Sequence, residues 1–188
     1  MKMLALTAAA LACTMAVPAE TFVIDTTHAE IGFAAKHMMV SNTKGKFNVF
    51  EGSIEYDLET KTLQAAQCVI QAASIDTNNE KRDGHLKNED FFHVEKFPQL
   101  TFKSTGVKKT GENMFELSGN LNVLGVDRPV VVPVEISGPV EGYGGGQIIG
   151  FAIETKLNRR DLGIVHSPAA AIGDNVKISV DVEAKLTN

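Results

Sequence analysis

The absences in this sequence narrow its function before any motif does. There is no tryptophan, and there are only two cysteines in 188 residues. Cys13 lies in an apolar N-terminal stretch, so the rest of the chain carries one thiol, Cys68, and no internal disulfide. Stability must come from core burial, for which a hydrophobic content of 44% is sufficient. No long basic run occurs and the formal charge is -5. That argues against nucleic acid as a partner and against strong attraction to anionic membranes. Beyond the N-terminus no apolar run is long enough for a spanning helix. The histidines (His28, His37, His85, His93 and His166) form no His-x-x-x-His or His-Glu-x-x-His pair. No Gly-x-Ser-x-Gly elbow exists either. A metal, a catalytic residue and a resident cofactor are therefore not expected. Internal repeats and linkers are also missing, which leaves a single domain.

The N-terminus reads MKMLALTAAALACTMAVPAE. Lys2 gives a short positive start, and an apolar stretch runs from Met3 to Val17. Val17-Pro18-Ala19 places small residues before a cut at Glu20. This is the pattern of a secretory signal peptide over residues 1–19, with a mature domain over 20–188 and a periplasmic location. Ala10-Leu11-Ala12 is a poor lipoprotein box, so lipidation of Cys13 is a minor alternative.

The mature chain alternates apolar and polar residues in strand rhythm. Ile31, Phe33, Ala35 and His37 share one face. Phe50, Gly52, Ile54 and Tyr56 share another, and Val176, Ile178, Val180, Val182, Ala184 and Leu186 form the cleanest stripe. Pro133, within PVVVPVEISG, marks an edge or a bulge. About eight such segments with short turns predict an all-β fold, a single eight-stranded antiparallel barrel. Such a barrel can be filled by side chains or can hold one small ligand, and alternation does not distinguish the two.

One stretch breaks the rhythm, EKRDGHLKNEDFFHVEKFP over 80–98. Thr77 followed by Glu80 reads as a capping box, predicting a short helical connector near 78–89. Asp83 and Lys87 are spaced for an i, i+4 pair. Phe91, Phe92 and Phe97 give a bulky apolar cluster suited to stopper one end of a barrel. Cys68, with no basic neighbour in sequence, reads as a core or wall residue.

These residues resemble the YceI-like family of polyisoprenoid-binding bacterial envelope proteins. IDTTHAEIGFAAKHMMVSNTKGKFNVFEGSI resembles its opening motif. SIDTNNEKRDGHLKNEDFFHVEKFPQLTFKS resembles its most specific one, through Arg82, Asp83, His85, Leu86, Asp90, Phe91 and Phe92. GNLNVLGVDRPV, LNRRDLGI and IGDNVKISVDVE resemble later motifs. Departures are Ala29 for a serine, His93 for an acid, Leu162 for an aromatic, and Leu157-Asn158. The resemblance implies a lipocalin-like barrel with an internal tunnel, and no catalysis. It implies a carrier of a long-chain isoprenoid lipid or quinone, acting beside the membrane or respiratory membrane proteins. The wall is expected from Ile31, Phe33, Phe50, Ile54, Phe102 and Phe151. Leu86, Phe91 and Phe92 are expected at its end, and His37 as a buried polar contact. An edge strand would allow a homodimer. Two other classes stay open: an exported metal-assisted enzyme around His28, His37 and His85, and a filled barrel serving as an interaction module.

Overall fold

The computed structural model describes residues 19–143 and 145–187. The expected leader, Cys13 included, lies outside these except for Ala19. The strands are β1 (Glu20–His37), β2 (Ser41–Phe47), β3 (Phe50–Asp57), β4 (Thr62–Gln71), β5 (Ile75–Asp76), β6 (Gln99–Lys109), β7 (Met114–Val123), β8 (Val126–Glu141), β9 (Gln147–Asn158) and β10 (Asn175–Leu186). One α-helix, α1 (Glu80–Lys87), stands between β5 and β6.

The alternating stripes close on themselves. β1, β3, β4, β6, β7, β8, β9 and β10 pair antiparallel in that order, and β10 returns to β1. This is the expected eight-stranded barrel. β2 and β5 extend it at one end. β3 pairs with Glu20–Val23 of β1, whereas β2 pairs with Ile31–His37. β2 and β3 therefore act as one bent run interrupted at Asn48 and Val49.

The inward stripes build two apolar clusters. One end of the barrel is packed solid by Phe22, Tyr56, Phe115, Ile136 and Ile149. The other contains Phe47, Phe50, Ile75, Phe91, Leu100 and Ile164. Full burial of a large apolar side chain contributes about 1.5–3 kcal/mol, so these clusters carry much of the stability.

Three seams interrupt the ladder. β1 has no partner on β2 or β3 over Ile24–Glu30. β4–β6 pairing stops at Gln67 opposite Lys103, leaving Thr62–Ala66 and Ser104–Lys109 unpaired with each other. β8–β9 pairing starts only at Glu135 opposite Ala152. Pro133 pairs with Glu116 of β7 but has no partner on its β9 side, an edge-like position where a residue without an N–H is tolerated.

The connector helix forms where expected, but its cap differs. Asn79 is the N-cap, and its side chain accepts from the Arg82 amide at 2.9 Å. Thr77 does not form a capping box with Glu80. Its amide (2.9 Å) and its hydroxyl both donate to Asp83 Oδ1 instead. Arg82 then donates to the Thr77 hydroxyl at 2.7 Å and to its carbonyl at 2.8 Å. A buried Thr77 needs these partners more than the exposed helix end needs a threonine cap. Asp83 thus serves Thr77 instead of the expected pair with Lys87.

Candidate functional site

Between the solid end and the helical end the barrel is hollow. Two cavities of about 150 and 190 Å³ lie inside it. They share Ile31, Ile70, Leu121, Leu157 and Ile178, so they adjoin end to end. The first is walled by Ile54, Ala66, Phe102, Val132, Phe151 and Val182, among others. The second is walled by Phe33, Phe47, Leu100, Val123 and Val176 and closed by Leu86, Phe91 and Phe92. Their walls are apolar. The inward period of each strand supplies aliphatic and phenylalanine side chains, while the alternate residues face water.

The space depends on close backbone approaches. A methyl group at Gly119 would overlap the Phe102 ring, and one at Gly45 would overlap the Phe33 ring. Both rings pack close against the glycine backbone. Cys68 lines the first cavity, and burial, with Glu51 adding to it, pushes its thiol up to about 12. The thiol is therefore un-ionised at neutral pH and inert.

At the helical end the stopper is built from aromatic edges. Phe92 meets Phe47 edge-on, with ring centroids 5.8 Å apart, and Phe47 meets Phe33 at 5.9 Å. The β9–β10 loop lies beside it and is organised by Arg159, which is 4% exposed. Its guanidinium donates to the carbonyls of Ile164 (2.9 Å), His166 (2.6 Å), Ser167 (3.0 Å) and Ile172 (3.0 Å) and pairs with Asp174 at 2.9 Å. Burial, with Arg160 alongside, pulls its pKa down, and Asp174 opposes that. This arginine stitches a long loop into shape, and part of its side chain also lines the second cavity.

The ten residues named as candidate ligand contacts fall into three groups. Ile31, Ile54, Phe102 and Phe151 line the first cavity, and Ile31, Phe33, Leu86, Phe91 and Phe92 line the second. Phe50 is 8% exposed and packs in the core beside the second cavity, outside the lining. His37 is exposed at the end of β1, bridged to Ile172, so it offers no buried polar contact. Its alternation is inward, but the strand has run past the barrel's rim.

The three histidines of the enzymatic alternative are dispersed. His28 sits against Asp25 (3.1 Å) and Glu183 (4.0 Å), His37 against the β9–β10 loop, and His85 against Asp90 at 3.3 Å. Among the described residues they form no common group. The partner of His85 that sequence reasoning missed is His166, whose Nδ1 lies 3.3 Å from the other oxygen of Asp90. No spacing rule could link them, because the loop that Arg159 folds brings them together.

Comparisons with known proteins agree with this architecture. A YceI-like domain model matches residues 22–184. A UPF0312 protein from Azotobacter vinelandii is 38% identical over 137 residues, covering 73% of this chain and 71% of the relative. The crystal structure of the Campylobacter jejuni YceI protein superposes with a TM-score of 0.76 at 30% identity, covering 81% of this chain and 90% of that one. A polyisoprenoid-binding domain from Saccharophagus degradans, implicated in plant cell wall breakdown, has the same fold. Its TM-score is 0.69 at 14% identity, with 90% of this chain and 99% of that one covered.

Proposed function

The chain belongs to the YceI-like family, and on that premise we propose that it is an exported, non-catalytic carrier holding one apolar chain inside its barrel. A long isoprenoid lipid, with or without a quinone head, is the ligand class. The observation that carries this reading is the pair of adjoining, apolar cavities between a packed end and an aromatic stopper. An apolar cavity of about 150 Å³ is enough for a benzene-sized solute and stays dry otherwise. Two in line suit a flexible chain better than a compact ligand.

Burying ten apolar carbons contributes about 8 kcal/mol before ordering costs, so a hydrocarbon tail alone drives useful affinity. An apolar wall discriminates by length and girth more than by chemistry, so several lipids should compete for it. The polyisoprenoid-binding domain that shares the fold supports an isoprenoid over a straight acyl chain. The N-terminal leader pattern supports delivery to the periplasm, where such a carrier would meet membrane lipids.

Organic extraction of the purified protein, followed by mass spectrometry, should release a polyprenyl or quinone-type lipid in near-stoichiometric amount. A clean protein that also refuses added isoprenoids would refute the reading.

A further inference from the structure

We propose that His85, Asp90 and His166 bind a divalent transition metal of the Zn²⁺ class, and that the ion staples the stopper segment to the β9–β10 loop. Their ligand atoms lie within 4.8 Å of one another. His85 Nε2 is 3.3 Å from Asp90 Oδ2, and His166 Nδ1 is 3.3 Å from Asp90 Oδ1. Two ligands bound to zinc at about 2.0 Å in a tetrahedron stand about 3.3 Å apart, the separation each histidine nitrogen already keeps from its nearer Asp90 oxygen, so small side-chain shifts bring both onto one ion. Two imidazoles and one carboxylate suit Zn²⁺, Ni²⁺ or Cu²⁺ and disfavour Mg²⁺ or Ca²⁺, which prefer oxygen alone.

The site is held by its surroundings. Both imidazoles pack on the Phe91 ring, at centroid distances of 5.0 Å for His85 and 5.2 Å for His166. The Asp90 amide donates to Asn88 Oδ1 at 2.9 Å, and the His166 carbonyl accepts from Arg159 at 2.6 Å. These contacts fix the backbones on both sides of the cluster, as supporting groups do in metal sites. The three side chains remain 38–50% exposed, so an ion can enter from solvent and keep a water. His85 and Asp90 belong to the segment that carries Leu86, Phe91 and Phe92, whereas His166 belongs to the loop shaped by Arg159. An ion shared among them would tie these two pieces at one end of the cavity. The inference holds whatever fills the barrel.

Titration of the purified protein with Zn²⁺ alone by calorimetry should show one ion per chain with micromolar affinity, and amide exchange over 80–98 should slow when it is bound. His166→Phe keeps an aromatic ring on Phe91 but removes a ligand. It should weaken binding about tenfold or more while leaving the metal-free melting temperature near that of the parent. Asp90→Asn should weaken binding likewise, and His28→Gln should not. Non-stoichiometric binding, binding indifferent to His166→Phe and Asp90→Asn, or binding without slower exchange over 80–98 would overturn the proposal.

Discussion

At the scale of single residues, partners decide roles more than residue type does. Thr77 looks like a helix cap in sequence, yet its hydroxyl and amide go to Asp83 and its oxygens to Arg82. His37 continues an inward-facing stripe, yet it lies beyond the rim and is exposed. Cys68 shows the converse, since the wall position read from its lack of basic neighbours matches its environment. With the thiol pushed up to about 12, about one in ten thousand is ionised at pH 8. Native Cys68 should therefore react with iodoacetamide at least about a hundredfold more slowly than in urea, followed by mass spectrometry. Rapid stoichiometric labelling of the native protein would contradict the burial of this wall.

At the scale of elements, the strands were legible because a half-buried strand must alternate. The stripes of β3 and β10 needed only their own residues to be read. The helix was legible in place but not in its cap, because Asn79 takes the cap while Thr77, two residues earlier, is drawn into tertiary contacts with Asp83 and Arg82. The β9–β10 loop was not legible. Its shape depends on Arg159, which satisfies the carbonyls of Ile164, His166, Ser167 and Ile172 at once. Arg159→Met retains volume but strands those acceptors. Loss of about 2–4 kcal/mol in urea unfolding is expected, with faster exchange of the amides over 159–174. Wild-type stability in this variant would show that the loop is held by something else. The proposed metal cluster inherits the same illegibility, since His166 reaches Asp90 only when this loop is folded.

At the scale of the whole molecule, alternation predicts a barrel but not how full it is. Side-chain direction is a local property, whereas free volume depends on how eight inward stripes mesh. Here bulk gathers at one end, in Phe22, Tyr56 and Phe115, and at the other in the phenylalanine stopper. The middle includes smaller groups, with Gly119 against the Phe102 ring and Ala66 on β4. The interior is thus a chamber between two packed ends. Where β4 leaves β6, β8 leaves β9 and β1 leaves β3, the wall lacks ladder hydrogen bonds. The filled-barrel alternative does not fit this distribution.

Leu121 lines both cavities and marks their junction. The central claim is that one apolar chain occupies both compartments, so a block at this junction is its most direct test. The measurement is equilibrium binding of a fluorescent isoprenoid to the delipidated protein and to Leu121→Trp, with melting curves run on both. The account predicts one chain bound per wild-type barrel, and an affinity at least about tenfold lower in the variant at similar stability. Unchanged binding by a folded Leu121→Trp would contradict it and place the ligand outside the barrel.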